Sequence, residues 1–567
     1  MTTASTKSHN RKKKRATNNV APKAKPPGPV VRESSARGIS DRTWFIAAVA
    51  IVFVAAVLRF YDLDLVPLHH DEGVNGNFLT RLVREGQYHY DPENYHGPTI
   101  YYFSAFIPWV FRFFLGTAAQ DKYGLNTITI RLVPALFGLA TVWLVLLLRR
   151  NLGTIGTLAA ATLIGISPGS VYLSRYFIHE TLFVFFTLGL VVAALKYYEE
   201  GHPIYLAMAA ISAALLFATK ETAIISIGVL AIALAVTWLY RFIRSRDLER
   251  SANKRSSPSN KADRRSRLLD RLGGPWKVLT GALMAVAIFV GLNVLFYSSF
   301  FQNYPEGVYD SVRTFKFWTK TGTTAHVHPF TTYVYWLIRQ ESPILFLATV
   351  GAALVVWRPR NAFALFVALW GFGTLAAYSL IAYKTPWLGL NFIIPLALVA
   401  GYGLQMIWEE SLGHLGLISG ILAVAIAISG YQTIDLNFFN YDNDAQYYVY
   451  VYAHTRRETL AMLKEIDKVV ERTQQGGQTG ITIVAPEYWP LPWYFRDFTR
   501  VGYNGRMSAS SEPIIIAAEG QAAEMEATFG DRYQQVNSGL NPLGTYSLRP
   551  GVNFRLYVRK DLILANP

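Results

Sequence analysis

The sequence predicts a mainly α-helical polytopic membrane protein with about eleven transmembrane helices and a small C-terminal α/β domain. Three observations predict it. Of the 567 residues 51% are hydrophobic, with a mean hydropathy of +0.21, and apolar runs of roughly 18–22 residues, long enough to cross a bilayer, recur along residues 44–430. The positive charge is confined: residues 1–44 hold 11 Lys/Arg against 2 Asp/Glu, residues 241–271 hold 11 against 4, and the rest of the chain is neutral overall. Residues 431–567 lose the long apolar runs and carry short ones instead.

Basic charge gathered in a tail and one loop beside apolar spans marks cytoplasmic segments and suits contact with anionic membrane lipid. It argues against nucleic acid as a partner, because neither segment has a fold that would display a binding patch. The chain has no cysteine, which excludes disulfides, thiolate catalysis and Cys-ligated metals.

Residues 1–43 read as a disordered basic cytoplasmic tail. The spans then fall near 44–61, 131–149, 155–173, 181–198, 204–219, 222–241, 276–297, 342–357, 362–381, 391–408 and 413–430. Trp44–Leu58 lacks a small-residue cleavage site and reads as a retained span. With the N-terminus in the cytoplasm, Arg149–Arg150, the disordered basic loop 241–275 and Arg358–Arg360 all fall inside, and the C-terminal domain falls outside the plasma membrane. The outer loops 62–130 and 298–341 are long. The first carries two stretches suited to lying at the interface, Gly73–Arg84 and Tyr101–Phe114. In residues 431–567, Thr455–Thr473 reads as a helix ending at Gly476–Gly477. Ile481–Ala485, Pro513–Ala518 and Asn553–Val558 read as strands of a small mixed or parallel sheet.

Ionisable groups near membrane depth cost roughly 2.5–3.5 kcal/mol each on insertion scales, so those present require a reason. On the outer side they form a short set. LHHDEGVNGNF (68–78) places His69, His70, Asp71 and Glu72 after the first span, and SRYFIHE places Arg175, His179 and Glu180 between the third and fourth. FATKET places Lys220 and Glu221 between the fifth and sixth, and AYKTPW places Lys384 between the ninth and tenth. Paired carboxylates can serve as base and orienting group; lysines and an arginine can hold a phosphate. Together at a membrane surface they suit a lipid-phosphate substrate met by an acceptor from the aqueous side. Plainer roles stand beside these: Asp71 and Glu72 as helix caps, Lys220 as a snorkelling residue or the structural partner of Glu221, and His326 and His328 as ordinary loop histidines.

These words, in this order, resemble the GT-C superfamily of polytopic glycosyltransferases, and within it the dolichyl-phosphate-mannose–protein mannosyltransferases and bacterial aminoarabinose transferases. The acidic pair follows the first span. A G-x-Y…Y-x-x-P-x-x-Y-Y stretch runs from Gly86 and Tyr88 through Tyr95, His96 and Pro98 to Tyr101 and Tyr102. The Arg175–Glu180 turn, the Lys220 turn and Lys384-Thr385-Pro386-Trp387 complete the set. HHDE, IHE, KTPWL and YWPLPWYF (488–495) look closest to a prokaryotic subfamily labelled flippase-activity-associated.

The resemblance implies transfer of a sugar from a polyprenyl-phosphate donor to a protein, lipid or glycan acceptor. Asp71 is then the base and Glu72 its partner, with His179 and Glu180 across the cavity. Lys220, Lys384, Arg175 and His96 would meet the donor phosphate. His96 stands where aminoarabinose transferases carry a lysine. Tyr95, Tyr101, His326 and His328 would line or close the substrate site. No spacing demands a metal, although His69, His96 and His328 are candidate ligands for a divalent ion. Two readings of other classes are compatible with the same residues: a lipid-linked-saccharide flippase or its accessory, and a module whose C-terminal domain recruits an acceptor.

Overall fold

The computed structural model describes residues 1–2, 39–93, 96–252, 274–324, 326–359, 361–411, 414–442, 447–536 and 544–564. Tyr95, nearly all of the basic tail and residues 253–273 of the basic loop lie outside them. Met1–Ile39 is one unit, and Ser40–Pro567 is a second, to which everything below belongs.

Each of the eleven apolar runs is helical. Among the described residues eight helices are long and apolar enough to cross a membrane: Asp41–Phe60 (α1), Thr127–Leu146, Glu180–Glu200, Ala223–Arg244, Pro275–Tyr297, Ala362–Leu380, Pro386–Glu410 and Leu415–Phe439. Two more runs are bent pairs, Thr154–Ile166 with Pro168–Ser174 at 57° and Thr332–Gln340 with Ser342–Trp357 at 111°. The last, Pro203–Phe217, is a short apolar helix of 15 residues. The chain is a multi-span membrane protein. The helix beginning at Ala223 continues to Ala252, into the stretch expected to be a disordered loop.

Both bends have a local cause. Each second helix starts with proline in its first turn, where a missing N–H costs nothing. Glu341, fully buried at the 111° bend, accepts from Ser167 Oγ and Gly169 N, both at 2.8 Å. One carboxylate therefore joins the two breaks.

Polar contacts tie several span ends together. Arg149 pairs with Asp41 (2.7 Å), Asn151 donates to Glu199 (2.7 Å), and Asn361 donates to the Asn151 carbonyl (2.6 Å). Two helices follow the first span, α2 (His70–Glu85) over the amphipathic stretch and α3 (Thr99–Leu115) over the aromatic one.

The C-terminal domain has a six-stranded mixed sheet: β1 (Ile481–Ile483), β2 (Val501–Tyr503), β3 (Ile514–Ala518), β4 (Tyr533–Gln535), β5 (Thr545–Arg549) and β6 (Val552–Arg559). Its order is β2-β1-β3-β6-β4, with β5 also on β6. The strands β2, β1 and β3 are parallel and the β6 pairings antiparallel. Met462, Ile466 and Val469 of helix Glu458–Thr473 pack on one face, and Met525 and Phe529 on the other. Coverage of both faces explains why β3 is a continuous Ile run rather than an alternating one. The last span runs to Phe439, past the end expected for it at 430.

This domain is clamped onto α2. The Trp489–Tyr494 segment lies along the helix: a Cβ at Gly73 would meet the Pro490 Cβ at 2.4 Å, and one at Gly76 would meet the Trp493 ring at 2.4 Å. Leu68 N donates to Tyr494 Oη (2.9 Å), Arg496 donates to the Leu125 carbonyl (2.7 Å), and Arg84 bridges Asp121 and Asp497. Gly76→Val is expected to lose about 1–3 kcal/mol by overpacking. The check is a lowered thermal midpoint with faster proteolytic release of the C-terminal domain; an unchanged release rate would mean that this contact does not hold the domain.

Candidate active site

The site begins at the first turn of α2. His69 is its N-cap: Nδ1 accepts from Asp71 N (3.1 Å), which leaves Nε2–H to donate to the Tyr452 carbonyl (3.2 Å). Glu72 completes the cap by accepting from His69 N (2.9 Å). Its carboxylate is also held by Arg131 through two bonds of 2.7 and 2.6 Å, and by Phe177 N at 2.8 Å. Arg131 in turn donates to the carbonyls of Leu63 and Val66. Glu72 has no exposed side-chain surface, whereas Asp71, one residue earlier, is 45% exposed, with His69 at 3.8 Å. The geometry thus divides the acidic pair. Glu72, expected to share in the chemistry, is a buried strut that fixes α2 to the second span, because every lone pair it has is spent. Asp71 keeps an accessible carboxylate.

The cation side is built on one docking contact. Gly97 N donates to the Thr219 carbonyl (3.0 Å), and Thr99 Oγ1 donates to Thr219 Oγ1 (2.8 Å). This brings His96 beside the Lys220 turn. His96 Nδ1 lies 2.9 Å from Glu221 Oε2 and its ring stacks on Trp318 at 5.0 Å. Lys220 Nζ lies 2.5 Å from Glu180 Oε1, both nearly buried. Lys220 and Glu221, adjacent in sequence, therefore do not pair with each other. His96 and Lys220 outweigh the burial that would raise the Glu221 carboxyl, and hold it below its usual range. His179 is buried and donates through Nε2 to the Gly97 carbonyl (2.9 Å); burial, then His96 and Lys220, hold its imidazole well below its usual range. Tyr101, fully buried, donates to Asn75 Oδ1 (2.8 Å), so it braces α3 on α2 rather than reaching a substrate.

Lys384 is 1% exposed and donates to the carbonyls of Ile381 (2.5 Å) and His328 (3.2 Å). Among the described residues no carboxylate compensates it. Two of its three N–H groups are thus on carbonyls, and burial lowers its pKa. A short antiparallel bridge, Val327 to Tyr383, ties His326–His328 to this segment. His326 Nδ1 meets Tyr452 Oη at 2.9 Å. Tyr383 packs edge-on against His326 at 5.3 Å, and burial raises its phenol pKa, followed by the charges of Asp71, Glu180 and Glu221.

Arg175 does not join the cations. Its guanidinium donates to the carbonyls of Leu58, Tyr61 and Asp62 and lies on the Phe438 ring. The unsatisfied carbonyls at the end of α1 capture it, which removes it from phosphate binding. The metal candidates His69, His96 and His328 are not brought together, and among the described residues no three His, Asp or Glu side chains converge on one point. Sequence reasoning missed Arg131, which reads as an ordinary span boundary, and Tyr383, Tyr452 and His454, whose positions depend on tertiary contacts. The aromatic run YYVYVYAHT (447–455) was the only visible signal for the last two.

With this geometry in place, comparison with known proteins is informative. Residues 105–247 match the family model described as dolichyl-phosphate-mannose-protein mannosyltransferase; that stretch contains Arg131, His179, Glu180 and Lys220 and leaves out Asp71, His96 and Lys384. ArnT from Cupriavidus metallidurans in the apo state superposes with a TM-score of 0.56 at 15% identity, over 93% of this chain and 100% of that one. The same ArnT bound to undecaprenyl phosphate gives 0.54 at 14%, over 93% and 100%. The archaeal oligosaccharyltransferase AglB from Archaeoglobus fulgidus, in complex with an inhibitory peptide and a dolichol-phosphate, gives 0.50 at 14%, over 85% and 70%. The chain has the GT-C fold. No curated protein matches by sequence. The family match indicates a glycosyltransferase, and the GT-C fold accords with it.

His454 offers a test away from the spans. It is 1% exposed, donates through Nε2 to the Pro67 carbonyl (3.2 Å) and accepts from Tyr176 Oη through Nδ1. Burial, followed by His69 and Arg131, holds it well below its usual range. Below about pH 6.5 the unfolded chain binds a proton here that the folded chain does not, so stability falls as pH drops, by up to ~1.4 kcal/mol per unit, until the folded pKa is reached. His454→Gln is expected to flatten the thermal midpoint between pH 7 and 5; an equally steep fall in the variant would assign the acid sensitivity elsewhere.

Proposed function

We propose that the protein is an inverting glycosyltransferase that moves a sugar from a polyprenyl-phosphate donor to an acceptor hydroxyl on the outer face of the cell membrane, with its N-terminus in the cytoplasm. One observation carries this reading. The Asp71 carboxylate is accessible and its charge reaches the Tyr383 phenol, and Lys384, the next residue after Tyr383, is a buried ammonium that no described carboxylate pairs with. A reaction that deprotonates a hydroxyl on one side and releases a phosphate on the other uses this polarity. The ArnT and AglB structures with polyprenyl phosphates bound support the donor class.

In the step proposed, Asp71 takes the acceptor proton and the hydroxyl oxygen attacks the anomeric carbon. The bond from that carbon to the phosphate oxygen breaks, and the lipid phosphate leaves with the electron pair. Lys384, together with Lys220 and His96, stabilises the charge that develops on phosphate; preorganised groups of this kind are often the largest catalytic contribution. The segment His326–His328 closes the site against water. Glu180 holds the Lys220 ammonium in place, and Glu221 does the same for His96.

The test is transfer of labelled sugar from a panel of polyprenyl-phosphate sugars in proteoliposomes, with the product's anomeric configuration read by NMR. Inversion is expected; retention would replace the single displacement with a two-step route, and lipid translocation without transfer would favour a flippase. Because the chain has no cysteine, single cysteines at Ser8 and Ser511 report the orientation. Only the second is expected to react with an impermeant maleimide from outside.

A further inference from the structure

Beyond the reacting groups, a line of aromatic rings leaves the site along the C-terminal domain. His70, next to Asp71, meets Trp489 at 6.3 Å; Trp489 meets Tyr488 at 6.1 Å; Tyr488 meets Tyr503 of β2 at 5.2 Å. All are only partly buried. The first end is fixed to the catalytic helix by the Gly73–Pro490 contact, and the far end by the sheet. Arg549 anchors the middle by donating to the Trp489 carbonyl (3.3 Å), and its charge is spent on Glu487.

We propose that this row is a subsite for a saccharide acceptor, holding the sugar units beyond the one whose hydroxyl reaches Asp71. The proposal rests on the glycosyltransferase reading for the word acceptor. The surface itself is argued from its chemistry. Sugars have C–H faces with partial positive charge, which lie on the electron-rich faces of aromatic rings. They are neutral, and the two charges flanking the row neutralise one another, so nothing there selects a phosphate or a carboxylate. They carry hydroxyls, and Glu487, 55% exposed even when paired, offers acceptors at the rim. The row is continuous with Asp71, the place where an acceptor hydroxyl must arrive. A rigid platform of this kind spends little conformational entropy on binding.

The experiment uses the full chain in nanodiscs and saturation-transfer NMR with neutral gluco-, manno-, galacto- and arabino-tetrasaccharides, beside a Ser/Thr-rich peptide. Wild type is expected to bind at least one tetrasaccharide. Trp489→Ala and Tyr503→Ala each weaken it by about tenfold, and Trp489→Phe restores most of the affinity. Tyr503→Ala gives a reading even if Trp489→Ala fails to fold. In transfer assays the platform variants raise KM for long acceptors and leave kcat and short acceptors unchanged. Absence of tetrasaccharide binding to wild type, wild-type affinity in both ring-removing variants, or binding of the peptide alone would each overturn the proposal. Asp71→Asn is measured alongside. It retains saccharide binding if the platform is correct, so loss of the transferase reading would show as bound saccharide without transfer by wild type.

Discussion

Replacing Asp71 by Asn lowers sugar transfer by about 10²–10⁴-fold, the range for loss of a positioned general base, and leaves the fold untouched. The amide has the same shape. Among the described residues no hydrogen bond of the Asp71 carboxylate is lost, and its neighbour His69 stays anchored through the Asp71 backbone N–H and the Tyr452 carbonyl. The thermal midpoint is therefore expected within about 0.5 kcal/mol of wild type, as for other exposed substitutions. The informative readout is the pair of measurements together. A loss of transfer accompanied by unfolding would mean that Asp71 is structural, and retained transfer would place the base elsewhere.

Arg131→Met has the opposite profile. Removing one member of a buried ion pair strands the other as an uncompensated charge, at a cost of about 3–5 kcal/mol. Glu72 would also lose the two bonds that fix α2 to the second span, and three carbonyls that Arg131 serves would lose a donor. A large fall in thermal midpoint is expected, with transfer lost in proportion to unfolded protein. Adding Glu72→Gln to Arg131→Met removes the stranded charge and should recover part of the stability. A double variant no more stable than Arg131→Met would show that the carbonyl contacts, rather than the charge pair, hold this corner.

The spans were legible because their signal is local: a run of apolar residues of the right length forms a helix wherever it lies. The bends were not, since a Ser-Pro pair permits a break but the buried Glu341 contact across 172 residues sustains it. In the C-terminal domain β1, β3 and β6 show as apolar runs, whereas β2 and β4, three residues each, are too short for any periodicity. The site residues were found by the cost of placing charge near a membrane. That criterion identifies which groups need a reason and is silent on partners, so it could not separate Asp71 from Glu72 or recognise that Arg175 caps α1. Pairings such as Lys220 with Glu180, 40 residues apart, depend on how turns meet, which a single sequence does not display.

The most direct measurement is a proteoliposome assay that follows sugar transfer and lipid translocation at once, with wild type and Asp71→Asn side by side. Transfer by wild type, lost in Asp71→Asn with folding intact, is the expected result for a GT-C transferase that uses Asp71 as its base. Translocation without transfer in both proteins would contradict it and make Asp71 part of a lipid-binding surface instead.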